Sequence, residues 1–175
     1  MRRWLLLLCV PVLSLGTVLS GCGFHLRQPT QVPQVYQQLQ LQLPDTAAGQ
    51  SLRDPLLRQL GIVGVYLAEP VPGQTATGQR LLVTDISPVR FLLNGQLTEI
   101  QLALSVRFRL EDAQGQPLSG ERTLWGRRTY QYDTATVNTE NQQEQLLWTE
   151  LYEDLAAQMA RQIQLGRLPA PPPSL

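Results

Sequence analysis

The amino-acid sequence predicts a single α+β (α/β) domain, in which two helices pack on one face of a mostly antiparallel, four-stranded sheet. Two patterns carry this prediction: β-patterned runs joined by Asn94-Gly95, and apolar residues at every fourth position near the end of the chain. Alternation is typical of half-buried strands, and a four-residue repeat is typical of a helix with one apolar face. A length of 175 residues also suits one domain.

The N-terminus, residues 1–21, has the three parts of a lipoprotein signal peptide. A basic Arg2-Arg3 pair comes first, residues 4–18 are almost wholly apolar, and the small Ser20-Gly21 directly precede Cys22. The apolar run is shorter than the roughly 20 residues that a membrane-spanning helix needs. We therefore expect this segment to be cleaved rather than retained.

Small residues that lead directly into a cysteine resemble the lipobox of bacterial lipoproteins. The resemblance implies that Cys22 becomes the first residue of the mature chain, with diacylglycerol on its sulfur and a further acyl chain, such as palmitate, on its amine. Several chains hold a protein on a bilayer, because each buried methylene contributes about 0.8 kcal/mol. Gly23 stands where lipoproteins of the inner membrane resemble one another in having aspartate, which favours the outer membrane. An ordinary secreted protein with a free cysteine is the alternative.

The remaining boundaries follow from composition. Removal of 21 residues from 175 leaves 154, which is enough chain for one substantial core. Residues 22–34 are predicted to be a lipidated tether, because prolines interrupt a segment with few hydrophobic residues. The folded domain is then expected over residues 35–167. Residues 168–175 form a Pro-rich tail with no core to join.

Composition also excludes several functions. Without Arg2 and Arg3, 12 of the 14 arginines remain against 14 acidic residues, which gives a net charge of −2. Such a chain has no bulk attraction to nucleic acid, so no nucleic-acid partner is predicted. Cys9 leaves with the signal peptide and Cys22 takes the lipid. Neither a disulfide nor a cysteine-based metal site is therefore expected.

The first elements of the domain are a strand and a short helix. The strand is predicted over residues 35–43, where leucines alternate with glutamines, and the helix has leucines four apart. Ser51 or Asp54 can cap the helix, and Asp54-Pro55 suits a cap followed by the first helical position, so a late start is expected. A further short strand is left open at residues 63–69. The leucines are Leu39, Leu41 and Leu43 in the strand and Leu52, Leu56 and Leu60 in the helix.

The middle of the chain is predicted to be an antiparallel meander. Residues 81–93 are rich in β-formers but contain Pro88, which indicates an edge or a bulge. Asn94-Gly95 predicts a hairpin, and residues 96–110 alternate regularly. Residues 118–132 do not alternate cleanly, so we expect that strand to be bulged or buried on both faces. The apolar face of the central strand consists of Ile100, Leu102, Leu104, Val106 and Phe108.

The last element is predicted to be a helix from about Glu140 to Leu165. Acidic residues lie toward its start and arginines toward its end, as the helix dipole favours. Its apolar face should pack along the sheet. That face consists of Leu147, Leu151, Leu155, Met159 and Ile163.

The sequence offers no convincing catalytic constellation. His25 is the only histidine and lies beside the predicted anchor, which excludes a histidine-based triad or a multi-histidine metal site. A Gly-rich phosphate loop and a paired-carboxylate motif are both missing. We therefore predict that the protein is not an enzyme and has no cofactor or metal. The alternative is an enzyme that uses carboxylates such as Asp85 and Glu99 near the hairpin.

Three segments of the chain resemble the LptE (RlpB-like) family of LPS-assembly lipoproteins. They are Gly21–Arg27 with Val32-Pro33, the hairpin Asn94-Gly95-Gln96 with Glu99, and Glu150–Ile163. The resemblance implies an outer-membrane lipoprotein whose domain sits, on the periplasmic side, as a plug inside the barrel LptD. It would help that barrel assemble, bind lipopolysaccharide and support its delivery to the outer leaflet. A lipoprotein adaptor of another envelope complex is the alternative.

Lipopolysaccharide carries phosphates, which arginine pairs with bidentately. The arginines of the meander are therefore candidate lipopolysaccharide contacts, with an ordinary solvated or barrel-facing charge as the alternative for each. The candidates are Arg90, Arg107, Arg109, Arg127 and Arg128. A basic residue directly before the Asn-Gly turn would suit a site at the hairpin tip, but Leu93 occupies that position.

Replacement of Cys22 by serine tests the predicted anchor. We expect Cys22→Ser to abolish incorporation of radiolabelled fatty acid, because the thiol is the acyl acceptor and a hydroxyl does not replace it. Cys9→Ser should be labelled normally, since Cys9 lies within the cleaved segment. Normal labelling of Cys22→Ser would contradict the lipoprotein assignment.

Overall fold

A computed structural model of the protein describes residues 32–68, 78–94, 98–131 and 137–171. The predicted signal peptide, Cys22, His25 and nearly all of the predicted tether lie outside these residues. The elements in chain order are β1 (Gln38–Gln42), α1 (Ala47–Ile62), β2 (Tyr66–Ala68), β3 (Gln79–Asn94), β4 (Thr98–Glu111), β5 (Arg122–Gln131) and α2 (Val137–Gln164). A turn of 3-10 helix, Gln34–Tyr36, precedes β1.

The five strands form one mixed sheet in the order β2-β1-β3-β4-β5. β3, β4 and β5 are the predicted antiparallel meander, whereas β1 lies parallel to both β2 and β3. The β1–β2 pair is parallel because α1 connects these two strands as a crossover, as parallel strands require. The α+β class with two helices is confirmed. The sheet has five strands rather than four, since residues 66–68 do pair.

β1 buries Leu39 and Leu41, as the alternation predicted. α1, however, begins well before the expected position. Thr46 is its N-cap, and the Thr46 hydroxyl accepts a hydrogen bond of 3.1 Å from the backbone N–H of Gly49. Ser51 is not a cap and instead donates from its hydroxyl to the Ala47 carbonyl. The expected late start at Asp54-Pro55 is therefore wrong.

Pro55 lies inside α1 because the helix starts so early. Proline lacks the N–H that would bond to the carbonyl four residues earlier, which normally weakens a helix interior. Pro55 is buried against the core, so its apolar ring contributes packing that partly offsets this loss. The sequence pattern did not indicate this compensation, because it depends on what lies opposite the helix.

The predicted hairpin between β3 and β4 is confirmed. Its ladder runs from Arg80 opposite Glu111 to Asn94 opposite Thr98, and residues 95–97 of the turn lie outside the described residues. The edge expected at Pro88 is confirmed, whereas Pro88 itself is not bulged and pairs in register with Leu104. β1 pairs only with residues 79–82, so within the described chain Pro88 lies on a free edge of β3. A register shift between Val83 and Asp85 places a bulge shortly before it.

β5 is regular, and the expectation of a bulged or doubly buried strand is wrong. Its ladder with β4 keeps one register from Glu99 opposite Gln131 to Phe108 opposite Arg122. Leu124 and Tyr130 face the helices and are buried, whereas Trp125 points the other way. Tyr132 lies outside the described residues.

The alternation of β5 was hidden at its helix-facing positions, which include Gly126 and Arg128 as well as Arg122. Gly126 lies under Leu151, and a Cβ at Gly126 would be 2.9 Å from the Leu151 Cδ2. Arg128, also facing the helices, reaches acidic side chains of α2. A glycine and two arginines therefore occupy positions where the pattern required apolar residues.

The core lies between the two helices and one face of the sheet. The apolar face of β4 and the predicted apolar face of α2 meet here, and both assignments are confirmed. The side chains with no exposed area include Ile100, Leu102, Leu104, Val106, Phe108 and Leu110 of β4, Leu151, Leu155, Met159 and Ile163 of α2, and Leu52, Leu56 and Leu60 of α1. Both helices pack on the same side, so no described helix covers the other side of the meander.

The first residues of the Pro-rich tail are attached to the domain. Leu168 packs against the core, and the Pro169 carbonyl accepts a hydrogen bond of 2.8 Å from the Gly120 N–H. A Cβ at Gly120 would lie 2.5 Å from the Ala170 carbonyl oxygen, so only glycine permits this approach. The expectation that the tail has no core to join is wrong for these residues.

Aspartate substitutions on α2 test the packing of the core. Leu155 has no exposed area, whereas Leu146 on the same helix is 59% exposed. We expect Leu155→Asp to abolish folding, because a buried unpaired carboxylate costs several kcal/mol against a total stability of about 5–15 kcal/mol. Leu146→Asp should retain the wild-type denaturation midpoint within a few degrees. Circular dichroism during thermal unfolding measures both, and equal midpoints for the two variants would contradict the packing described.

Candidate functional site

The face of the meander that no described helix covers, hereafter the open face, carries the exposed side chains of β3, β4 and β5. Alternate residues of each strand point to this face, and the ladder places Val89 beside Ala103 and Ala103 beside Arg127. Ala103 and Ser105 form its floor and are nearly buried by their neighbours. The open face is therefore a surface of short side chains flanked by longer ones.

Exposed apolar residues lie along the open face and form what we call the apolar strip. Its members are Val89, Phe91, Leu93 and Trp125, which are 39%, 47%, 41% and 62% exposed. Val89, Phe91 and Leu93 are successive open-face residues of β3, and Trp125 lies two strands away on β5. Single exposed apolar residues are common in soluble proteins, but several on one face make that face a candidate binding surface. The tip of the hairpin beyond the apolar strip lies outside the described residues.

The five candidate arginines divide between the two faces of the sheet. Arg107, Arg109 and Arg127 lie on the open face, whereas Arg90 and Arg128 lie on the helix face, both opposite the buried Leu102. Arg127 and Arg128 are neighbours in sequence but point in opposite directions, because side chains alternate along a strand. The structure thus does not bring the five together into one basic site.

The two helix-facing arginines are paired with α2. Arg128 donates to Asp154 and lies 3.5 Å from Glu150, and the hydrogen bond with Asp154 raises the pKa of Arg128. Arg90 Nε donates to Glu144 Oε2 at 3.1 Å, which likewise raises the pKa of Arg90. These two guanidiniums thus connect β3 and β5 to α2 by ion pairs.

Arg109 is engaged on the open face itself. Glu111 is only 3% exposed, and its Oε1 accepts from Arg109 Nη2 at 2.7 Å while its Oε2 accepts from Arg80 Nη2 at 2.6 Å. A buried carboxylate must be paired, so both arginines are needed to satisfy it. Binding of an external anion by Arg109 would compete with this pair.

Arg107 and Arg127 are the more available of the candidates. Arg107 Nε lies 3.8 Å from Glu121, at the limit of an ion pair, and Arg107 is exposed. Arg127 is exposed and forms no ion pair with any residue in the described part of the chain. Both border the apolar strip, so the open face combines accessible cations with apolar side chains.

A polar cluster centred on Glu144 was not predicted from the sequence. The Glu144 carboxylate accepts hydrogen bonds from Tyr130 Oη at 2.6 Å, from Arg90 Nε at 3.1 Å and from Trp148 Nε1 at 3.3 Å. Burial alone would raise the pKa of Glu144, but these three hydrogen bonds outweigh it and lower that pKa. Only the spacing of Glu144 and Trp148, four residues apart on a helix, was a signal in the sequence.

The alternative of a carboxylate enzyme is not supported by the geometry. Asp85 lies opposite Arg107, and Glu99 is eight residues from Arg107 along β4. At about 3.4 Å per residue the two carboxylates are roughly 27 Å apart, too far to act on one substrate atom.

Within the described ranges no group of three or more His, Cys, Asp and Glu side chains is placed to hold a metal ion. Neither described helix is long and apolar enough to cross a membrane.

Comparison with known proteins places this fold among bacterial lipoproteins. A minor lipoprotein from Acinetobacter baumannii is 44% identical, with a TM-score of 0.71 over 81% of this chain and 100% of that one. Uncharacterized lipoprotein B from Nitrosomonas europaea is 17% identical, with a TM-score of 0.65 over 83% of this chain and 93% of that one, and shows the fold alone. Rare lipoprotein B from Shewanella oneidensis is 20% identical, with a TM-score of 0.52 over 74% of this chain and 92% of that one, and also shows the fold alone. None of the curated protein sequences matches significantly.

These similarities define the class as an envelope lipoprotein with an α+β domain. The LptE family, described as lipopolysaccharide-assembly, matches residues 36–163. The protein therefore belongs to the LptE family, and its role lies in lipopolysaccharide assembly. The match includes the strands of the open face and both helices.

The Glu144 cluster predicts an alkaline dependence of stability. Burial, together with the hydrogen bond to Glu144, raises the pKa of Tyr130 to about 12. The unfolded chain loses this proton near an ordinary pKa of about 10, so the contribution is complete below about pH 10 and lost as the pH rises toward 12. We expect the free energy of unfolding of the wild type to fall relative to Tyr130→Phe over this range.

Urea denaturation at a series of pH values measures this difference. Other ionisations affect both proteins alike, so Tyr130→Phe serves as the reference. At neutral pH the variant should be less stable by about 1 kcal/mol, the usual worth of one hydrogen bond. Parallel profiles for the two proteins between about pH 10 and 12 would show that Tyr130 is not held neutral by the fold.

Proposed function

We propose that the protein is an outer-membrane lipoprotein, anchored through Cys22, that occupies the lumen of the barrel LptD as a plug. In this role it assists assembly of the barrel, binds lipopolysaccharide and supports delivery of lipopolysaccharide to the outer leaflet. Membership of the LptE family supports a role in lipopolysaccharide assembly. The observation that carries lipid binding is the open face, where accessible arginines border exposed apolar side chains.

The chemistry of lipopolysaccharide fits this combination. Its lipid portion carries phosphates at one end and acyl chains at the other, so a surface that holds it needs cations next to apolar area. Arg127 lies across one strand from Val89, at about 10 Å, and two residues from Trp125 on the same face. Arg107 is diagonal to Trp125, since Ser105 stands directly opposite that tryptophan. When the phosphates of the lipid bind Arg107 and Arg127, its acyl chains lie over the apolar strip.

The other three candidate arginines are not proposed to contact the lipid. Arg90, Arg109 and Arg128 already donate to carboxylates of the protein. A phosphate that recruited them would break those pairs and leave acidic groups unpaired, which costs free energy. We therefore assign lipid contact to Arg107 and Arg127 and a positioning role to the remaining three.

A plug role is compatible with the surface of the domain. The open face carries polar and charged side chains beside the apolar strip, and the two helices cover the opposite side. A large barrel with a polar lumen can contact such a surface over a broad area without one dominant anchor residue. The function is therefore one of binding and assembly, without a catalytic step.

The alternative is a lipoprotein adaptor for a different envelope complex. In that case the same surfaces would bind a protein and no glycolipid. Co-purification of the acylated chain from outer membranes separates the two, because only the proposed role predicts recovery with LptD and lipopolysaccharide.

A double substitution on the open face tests lipid binding. We expect Arg107→Ala with Arg127→Ala to weaken lipopolysaccharide binding by about tenfold or more, since each charge-assisted hydrogen bond contributes roughly 1.5–3 kcal/mol. Added salt should weaken binding by the wild type in the same direction. Binding to the purified acylated protein in detergent measures both effects. Recovery of the variant with LptD should change less than lipid binding.

The matched control removes the same charge elsewhere. Arg161 and Arg167 are exposed at and beyond the end of α2, away from the open face. Arg161→Ala with Arg167→Ala should bind lipopolysaccharide as the wild type does. Equal binding by both double variants would place the lipid elsewhere on the domain. A wild-type chain that is recovered with LptD but binds no lipopolysaccharide would support the plug role and refute direct lipid handling.

A further inference from the structure

The described sheet ends in a long strand with one unpaired side. β5 has ten residues, pairs with β4 alone and is last in the strand order. Its register is uninterrupted, so it lacks the bulge that often protects an edge strand. The other edge strand, β2, has only three residues. The free part of β3 contains a bulge and Pro88, both of which discourage pairing.

The outward groups of β5 face no other described strand. In an antiparallel ladder every second residue turns its N–H and C=O away from the partner strand. The Arg127 carbonyl accepts a hydrogen bond of 3.1 Å from the Arg128 side chain, as an outward carbonyl can, and an added strand would replace this bond. By alternation Thr123, Trp125 and Thr129 are outward too. Within the described chain no backbone hydrogen bond joins β5 to any element except β4.

Two arginines on this edge have no acidic partner in the described part of the chain. Neither Arg122 nor Arg127 forms an ion pair with a described residue, and the buried Nε of Arg122 has no hydrogen-bond partner among those residues. A buried donor without an acceptor is costly and rare in native structures. Arg122 and Arg127 are five positions apart, an odd number, so they lie on opposite faces of the sheet.

We propose that the outer edge of β5 accepts an extended segment of a partner protein, which adds as a sixth strand and carries acidic side chains five residues apart. Main-chain hydrogen bonds to Thr123, Trp125, Arg127 and Thr129 would provide the pairing, and the two acids would meet Arg122 and Arg127. A second copy of β5 is a poor occupant, because it brings further arginines against these. Lipid binding is not required for this interaction.

A designed peptide tests the proposal directly. The probe is a ten-residue peptide of alternating threonine and valine with two glutamates five positions apart, added to the full acylated chain in detergent micelles. The control peptide has the same composition with its glutamates four positions apart, so both acids fall on one face. We expect the first to bind about tenfold more tightly, since only it reaches both arginines. Amide exchange of the four outward residues should slow by about tenfold or more in its complex.

Two matched substitutions separate main-chain pairing from other contacts. Thr129→Pro removes an outward N–H without touching the ladder to β4, whereas Thr129→Val keeps that N–H. The proline variant should lose peptide binding by about tenfold and retain lipopolysaccharide binding, and the valine variant should retain both. Arg122→Gln should abolish the preference between the two peptides.

Several results would overturn the proposal. Slow exchange of the outward amides in the free chain would show that the edge is already covered. Equal binding of the two peptides would refute the assigned arginines. Equal binding by Thr129→Pro and Thr129→Val would show that the peptide does not add as a strand. Because lipid binding is measured on the same variants, failure of this proposal is distinguishable from failure of the lipid site.

Discussion

One face of the sheet is buried beneath two helices while the other is left open, and the rest of the structure depends on this asymmetry. The helix-facing residues of β4 and the apolar face of α2 have no exposed area. Full burial of each such side chain contributes roughly 1.5–3 kcal/mol, so the cluster fixes which face of every strand points inward. Because side chains alternate, that choice also fixes which residues reach the open face.

The asymmetry gives different roles to arginines that look equivalent in the sequence. On the helix face Arg90 and Arg128 bond to acids of α2 and so hold the hairpin and β5 against the helix. On the open face Arg107 and Arg127 border apolar side chains and remain accessible. The same residue type thus stabilises the fold on one side and is available for binding on the other. Tyr130 and Glu144 strengthen the first role by fixing the position of Arg90.

A protein of the LptE family with this architecture offers two distinct kinds of surface. The open face is the proposed lipid site, where Arg107 and Arg127 lie near Trp125 and Arg127 lies one strand across from Val89. The edge of β5 suits a polypeptide, because it offers main-chain groups in a regular row. The two surfaces share Arg127 but differ in chemistry.

The sequence by itself determined the elements whose patterns are local. The four-residue repeat predicted α2, the alternation predicted the buried face of β4, and Asn94-Gly95 predicted the hairpin. The segment around Cys22 and Glu150–Ile163 also resembles the LptE family, and the family match over residues 36–163 is consistent with that.

Only the tertiary structure decided features that depend on residues far apart in the chain. The Thr46 cap of α1 is local, but the burial of Pro55 that partly offsets its lost hydrogen bond depends on packing. The regularity of β5 was hidden because Gly126 makes room for Leu151 and Arg128 meets Asp154. Which arginines remain accessible was likewise undecided, since Glu144 and Asp154, the partners of Arg90 and Arg128, lie on a helix far away in the chain. Burial and long-range pairing are collective properties, and a local pattern does not contain them.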